Sequence, residues 1–240
     1  MYSEHPCFEA PKNPKEKVWK YMDFTKFVSL LEEKALFFPS ITQLKENDRL
    51  EGFLNEATVQ KFRAASKNTS DELKKKKDET IKNNLEFIKR GRSLLNISSF
   101  HLNKYESMGM WKLYLKSNEG VAVQTNFDNL KKSFISPDLN IHIGAVKYIT
   151  NNDLVDPFNI FNLALYKRKG FEHERELRAV IMQATKSGLL VPIDINIFIE
   201  KVYVSPTAKP WILDLVKKIV GRYELKKEVI RSEMDKDPLY

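Results

Sequence analysis

Strand-like and helix-like segments follow one another in this chain without regular strand-helix-strand alternation, and no glycine-rich turn follows a strand-like segment. A doubly wound parallel sheet needs both features. The pattern leads instead to an α+β fold, with a curved, mostly antiparallel sheet, whole or split, flanked by helices. Strand-like runs begin with KVWKYM at Lys17 and continue at 35–38, 95–101, 120–125, 145–149, 175–182, 189–192, 199–204 and 228–231. Apolar residues recur at helical spacing after Asp23 (Phe24, Phe27, Val28, Leu31), across 107–115 and across 210–220. Asp156-Pro157 and Gly170 bracket a further predicted helix that turns Phe158, Phe161, Ala164 and Leu165 inward.

With 240 residues, 42% of them hydrophobic, one core is the simplest organisation. Residues 1–16 are polar and punctuated by Pro6, Pro11 and Pro14, so they read as a surface tail on a single domain spanning 17–240. Within it, 56–95 is rich in Lys, Glu and Asn and poor in β-branched residues, which predicts a basic helical insertion. Between Glu56 and Arg92 stand 11 Lys and Arg against 6 Asp and Glu, a surplus of five within the chain's net +8. That concentration suits a nucleic-acid or protein target. The tetralysine 74–77 reads equally well as a solvated helix face.

Cys7 is the single cysteine and cannot close an internal disulfide, and the first twenty residues hold no secretory apolar stretch. Both observations lead to the expectation of a cytoplasmic protein. The apolar segment 188–204 carries Asp194, Glu200 and Lys201 and breaks at Pro192, so no membrane insertion is expected.

The chemistry concentrates in FEHERELRAVIM, where a charged run enters an apolar strand. Fully extended, it would set Glu172, Glu174, Glu176 and Arg178 on one side. The same letters also fit a hydrated strand entry with Arg178 in a structural ion pair. Asp48 and Glu51, in the shaped loop after Pro39, are candidate oxygen ligands for Mg²⁺ together with Glu174 or Glu176, or else turn-forming side chains. Trp111 and Tyr114 sit three apart and suit either a stacking wall or the core. The four histidines show no zinc spacing and no Ser-His-Asp order.

Several segments resemble, in order, a bacterial family known as domain of unknown function 2971. They are Trp19-Lys20-Tyr21-Met22, Asn47-Asp48-Arg49-Leu50-Glu51-Gly52, Met110-Trp111-Lys112-Leu113-Tyr114, Phe171-Glu172-His173-Glu174-Arg175-Glu176-Leu177-Arg178 and Val204-Ser205-Pro206. The resemblance implies an association with abortive infection and phage defence, as an effector of toxin type. The order Lys20, Ser98-Ser99, Glu174-x-Glu176 is also similar to ADP-ribosyltransferases, although Lys20 stands where Arg or His is usual. That likeness implies NAD as cofactor, with Lys20, Tyr21, Ser98, Ser99, Trp111, Tyr114 and Arg178 around it. Glu176 is then the preferred catalytic residue and Glu174 the next. In this scheme a cation holds phosphate, a serine bonds a ribose hydroxyl and a glutamate stabilises the oxocarbenium-like centre. Two alternatives stand beside it: a nucleic-acid or protein-binding module using 56–92, and a metal-dependent nuclease using Asp48, Glu51 and Glu174.

Overall fold

A computed structural model describes residues 1–46, 52–64, 71–115, 117–156 and 158–235 of the chain. The first half runs β1 (Lys17–Asp23), α1 (Phe24–Glu33), β2 (Ala35–Phe38), α2 (Glu56–Ala64), α3 (Asp71–Ser93), β3 (Leu95–Leu102), α4 (Met108–Tyr114), β4 (Gly120–Asn126) and α5 (Phe127–Ser133). The second half runs β5 (His142–Ala145), β6 (Lys147–Ile149), α6 (Asn162–Leu165), β7 (Tyr166–Arg168), β8 (Glu176–Met182), β9 (Leu189–Pro192), α7 (Ile195–Phe198), β10 (Lys201–Val204), α8 (Pro210–Arg222) and β11 (Glu228–Arg231).

Among the described residues, seven strands form one sheet in the order β11-β10-β4-β1-β3-β8-β5. Every neighbouring pair is antiparallel except β10 with β11. The mostly antiparallel sheet flanked by helices is therefore the architecture, and it is continuous rather than divided. Two further pairs lie outside it, β2 with β9 antiparallel and β6 with β7 parallel.

Side chains alternate across each strand, so the register sorts residues onto two faces. One face carries Val18, Met22, Phe100, Val123, Leu177 and Ala179, which pack with Phe27, Leu31, Leu130, Phe198 and Val216 from the covering helices. Each such buried side chain contributes about 1.5–3 kcal/mol, which makes this layer the main source of stability. The other face holds two smaller clusters. Trp19, Tyr21 and Ala122 pack on Met110 and Trp111 of α4; Leu95, Ile97 and Val180 pack on Ile41, Leu163 and Leu165. Between those clusters the register Ser99↔Arg178 and His101↔Glu176 draws a polar strip.

Several expectations change on folding. The predicted helix from Asp156 to Gly170 shrinks to the four residues of α6, and Phe158 stays 56% exposed. After Leu165 the chain extends to pair β7 with β6, which a continuing helix would forbid; Pro157 itself lies outside the described residues. Residues 1–16 do lie over the surface, but they are anchored. Ser3 N–H donates to Ile141, Ala145 N–H donates to Glu9, and Phe8 is buried. Gly144 permits that approach, because a Cβ there would meet Phe8 Cα at 2.8 Å. The basic insertion is α2 and α3, and Lys82, Lys89 and Arg90 are exposed on α3. Among the described residues no helix is long and apolar enough to cross a membrane.

Lys20 occupies the point where β1 and β3 part. Their register holds only at Val18↔Leu102 and Trp19↔His101. Beyond it, Lys20 Nζ donates to Ser98 Oγ at 2.9 Å and to the Ser99 carbonyl at 3.0 Å, 4.5 Å from the centroid of the Phe100 ring. The ammonium thus satisfies a strand carbonyl that the parting strands leave unpaired. Burial, reinforced by Lys26, pushes the Lys20 pKa down to about 8. A lowered lysine binds fewer protons folded than unfolded, so stability rises with pH between about 8 and 10. Lys20→Met is expected to cost about 1–3 kcal/mol at neutral pH through the orphaned carbonyl. It is also expected to abolish that rise, as read by urea unfolding; unchanged stability and pH dependence would contradict the assignment.

Candidate functional site

The polar strip gathers four ionisable side chains from three short segments. Period-two alternation places Glu176 and Arg178 on the same face of β8. There the guanidinium grips the carboxylate with two bonds, Nε to Oε2 at 2.7 Å and Nη2 to Oε1 at 3.1 Å. Its Nη1 donates to the Ala164 carbonyl at 2.7 Å, near the end of α6. Lys167 enters from β7, where parallel pairing sets it opposite Tyr148. Its ammonium donates to Glu176 Oε1 at 2.6 Å and to Glu174 Oε2 at 2.8 Å. Glu174 closes a 3-10 turn, Lys169–Glu174, and Arg175 after it adopts the left-handed region with φ 42°. That turn corrects the expectation that Glu172, Glu174, Glu176 and Arg178 share one side: Glu172 stays on the surface with Lys169 at 2.9 Å, and only the other three are buried together.

The two carboxylates take opposite proton affinities. Burial alone would raise Glu176, but the Arg178 guanidinium and the Lys167 ammonium overcome it and hold Glu176 well below the usual carboxylate range. Glu174 has one bond to Lys167 and stands beside the Glu176 charge. Burial and that charge push its pKa up to about 7, and it hydrogen-bonds to Glu176. Below about pH 7 the pair therefore favours a proton on Glu174 and none on Glu176, which is the arrangement that separates an acid from a fixed anion in paired carboxylates.

An aromatic and polar wall surrounds them. Tyr148 OH accepts the Glu176 N–H at 2.7 Å. Tyr21 meets Trp111 edge to face at 4.9 Å, and its hydroxyl accepts the Ser107 N–H at the start of α4. Burial, then the charges of Glu176 and Glu174, push the Tyr114 phenol up, which sets it in the field of both carboxylates. Ser99 is half-buried on this face, and its Oγ bonds no other described residue. His101 Nδ1 donates to the Glu174 carbonyl at 2.6 Å, and burial lowers the ring's pKa, which favours the neutral form with Nε2 as acceptor. Among the described residues that buried Nε2 has no partner.

Of the residues singled out in the sequence, Tyr21, Ser99, Trp111, Tyr114, Glu174, Glu176 and Arg178 share this face. Lys20 and Ser98 do not, because the register puts them beside Phe100 on the opposite face of the sheet. They bond each other there, so Lys20 does not join the glutamates at one site. Asp48 and Glu51 lie outside the described residues, and among the described residues no cluster of three His, Cys, Asp or Glu side chains is placed to hold a metal. Three members were missed in the sequence, Tyr148 of β6 among them. Lys167 stood inside a stretch that read as helix, and His101 became informative only when the 3-10 turn supplied its carbonyl.

No family model, no curated protein and no solved structure matches the chain.

The network predicts a sharp contrast between neighbouring glutamates. Glu176→Gln leaves Arg178 and Lys167 buried with too little negative charge and is expected to cost about 3–5 kcal/mol. Glu174→Gln mimics the protonated acid, accepting from Lys167 and donating to Glu176, and is expected to stay within about 1 kcal/mol of wild type at mildly acidic pH. A raised carboxyl binds more protons folded than unfolded, so wild type should lose stability relative to Glu174→Gln as pH climbs from 4.5 towards 7. Urea titrations of the three proteins across that window measure both effects.

Proposed function

We propose that this chain is an NAD-consuming enzyme of ADP-ribosyltransferase type, with its site on the Tyr21–Glu174 face, acting as an effector of bacterial defence or toxin type. The observation that carries the reading is the unequal bonding of the buried carboxylate pair: Glu176 receives two bonds from Arg178 and one from Lys167, whereas Glu174 receives one from Lys167 alone, which favours the anion at Glu176 and raises the Glu174 pKa. The wall of Tyr21, Trp111 and Tyr114 suits a stacked nicotinamide, and Ser99 Oγ suits a ribose hydroxyl. The order of motifs along the chain supports the defence context.

In this reading the roles of the two glutamates differ from those their order suggests. Glu176 receives two bonds from Arg178 and one from Lys167. It therefore acts as a fixed negative charge that favours the oxocarbenium-like centre and holds the cations in place. Glu174 handles the proton. As the C1′–N bond breaks, its electron pair passes to the nicotinamide ring and neutralises the pyridinium charge. The acceptor's lone pair forms the new bond to C1′, and the acceptor's proton passes to the Glu174 carboxylate. Arg178 and Lys167 are positioning residues here, since both ion pairs are complete before any ligand arrives. Lys20 has no part in the transfer.

A base must be ionised to accept a proton, so nicotinamide release from NAD is expected to rise with pH around a midpoint near 7. Glu174→Gln is expected to lower the rate by about 100-fold or more and to flatten the profile. Chromatographic measurement of nicotinamide, with water alone and with added protein or nucleic-acid acceptors, checks both. A rate that survives Glu174→Gln, or NAD left intact by wild type under every condition, would remove the proposal.

A further inference from the structure

A partly open cavity lies against β7. It has a volume of about 370 Å³ and is walled by α2, the segment before it, β6, α6 and β7. That volume falls within the range of small-molecule sites. Its lining is mainly apolar, with Phe53, Val59, Leu163 and Tyr166 among the wall residues, and Asn162, Glu56, Lys167 and Arg168 among the polar ones.

The polar part of the wall is held in place before any ligand arrives. Asn55 Oδ1 accepts from both the backbone and the hydroxyl of Thr58 at the start of α2. Its amide donates to the carbonyls of Thr150 and Asp153, which ties α2 to the turn after β6. Thr58 Oγ1 in turn accepts the Val155 N–H at 3.1 Å. Asn162 differs from these. It is 8% exposed, and its Nδ2 donates to the Asp156 carbonyl at 2.8 Å, which settles which amide atom is oxygen. Among the described residues, no donor reaches its Oδ1. Standing at the cavity wall, that oxygen keeps acceptor capacity that a ligand donor can use. At the rim, Glu56 Oε1 accepts from Gln60, and the exposed carboxylate keeps further acceptor capacity.

We propose that this cavity binds a planar heterocycle carrying an N–H donor, as a base or a neutral nucleoside. The ring packs among Phe53, Tyr166 and the aliphatic wall, its amino group donates to Asn162 Oδ1, and sugar hydroxyls donate to Glu56. Aromatic rings supply a sequence-tolerant platform for such a ring, and the Asn162 acceptor supplies orientation. The cavity adjoins the carboxylate cluster through Lys167, but its ligand is argued from Asn162 and the apolar wall and does not depend on the transferase reading.

Calorimetric titration of the whole chain with adenosine tests it, using adenine and N6,N6-dimethyladenosine as further arms. Adenosine is expected to bind with Kd on the order of 0.1 mM, from a ligand efficiency of about 0.3 kcal/mol per atom. Val59→Phe, which fills the cavity from a half-buried position on α2, is expected to abolish binding. Asn162→Leu is expected to weaken adenosine about tenfold or more, and dimethylation of the ligand to do the same to wild type. The two losses are not expected to add, since both remove one bond. Because Val59 lies away from the carboxylate face, adenosine binding that survives Val59→Phe belongs elsewhere and overturns the proposal. So does the absence of adenosine binding to wild type at several-fold higher concentration, or full additivity of the two losses.

Discussion

Two buried glutamates of unequal proton affinity, bonded to two buried cations, are the constraint around which this half of the molecule is built. Removing four ionisable groups from water is costly, and their attraction compensates only when every donor and lone pair finds a partner. The local fold supplies those partners. β7 must extend to bring in Lys167, the 3-10 turn must fold back to return Glu174, and α6 must end where Ala164 can meet Arg178. Each of these elements is short and has little intrinsic stability, so the ionic cluster and the neighbouring apolar cluster at Leu163 and Leu165 hold one another in place.

The sheet keeps two chemistries apart. Its first face is a continuous apolar layer, and Lys20 with Ser98 forms a small polar repair where β1 leaves β3. Its second face interrupts two apolar clusters with the strip Ser99, His101, Glu176 and Arg178. A single residue of register separates Lys20 from Tyr21, and that step decides which of them lies with the glutamates. The pair is also a caution about ordered motifs: Lys20, Ser98 and Glu176 succeed one another along the chain, yet only the last is on the carboxylate face.

Much of the fold could be read from letters alone, for reasons that are local. β1, β3, β4, β8 and α8 have strong periodicity, so their existence follows from side-chain spacing. α5 and α7, at seven and four residues, are too short to show a period and depend on caps from Asn126 and Asp194. The misread region 156–170 shows tertiary pairing overriding a good local helix signal. The site divides in the same way. Glu174, Glu176 and Arg178 stood out because charges preceding an apolar strand invite a question about burial. Lys167 and His101 did not, because their partners are fixed by cross-strand register and by a left-handed turn at Arg175, neither of which has a short-range signature.

The central claim is that Glu174 carries a proton where ordinary glutamates have lost theirs. Difference infrared spectroscopy from about pH 5 to pH 8 observes this directly, since a protonated carboxyl absorbs apart from carboxylates and unperturbed glutamate ionises near pH 4.3. The account predicts one protonated-carboxyl band that persists above about pH 5, bleaches around a midpoint near 7 and is missing from Glu174→Gln. Complete ionisation of all carboxyls by about pH 5.5, or the same band in the variant, would contradict it.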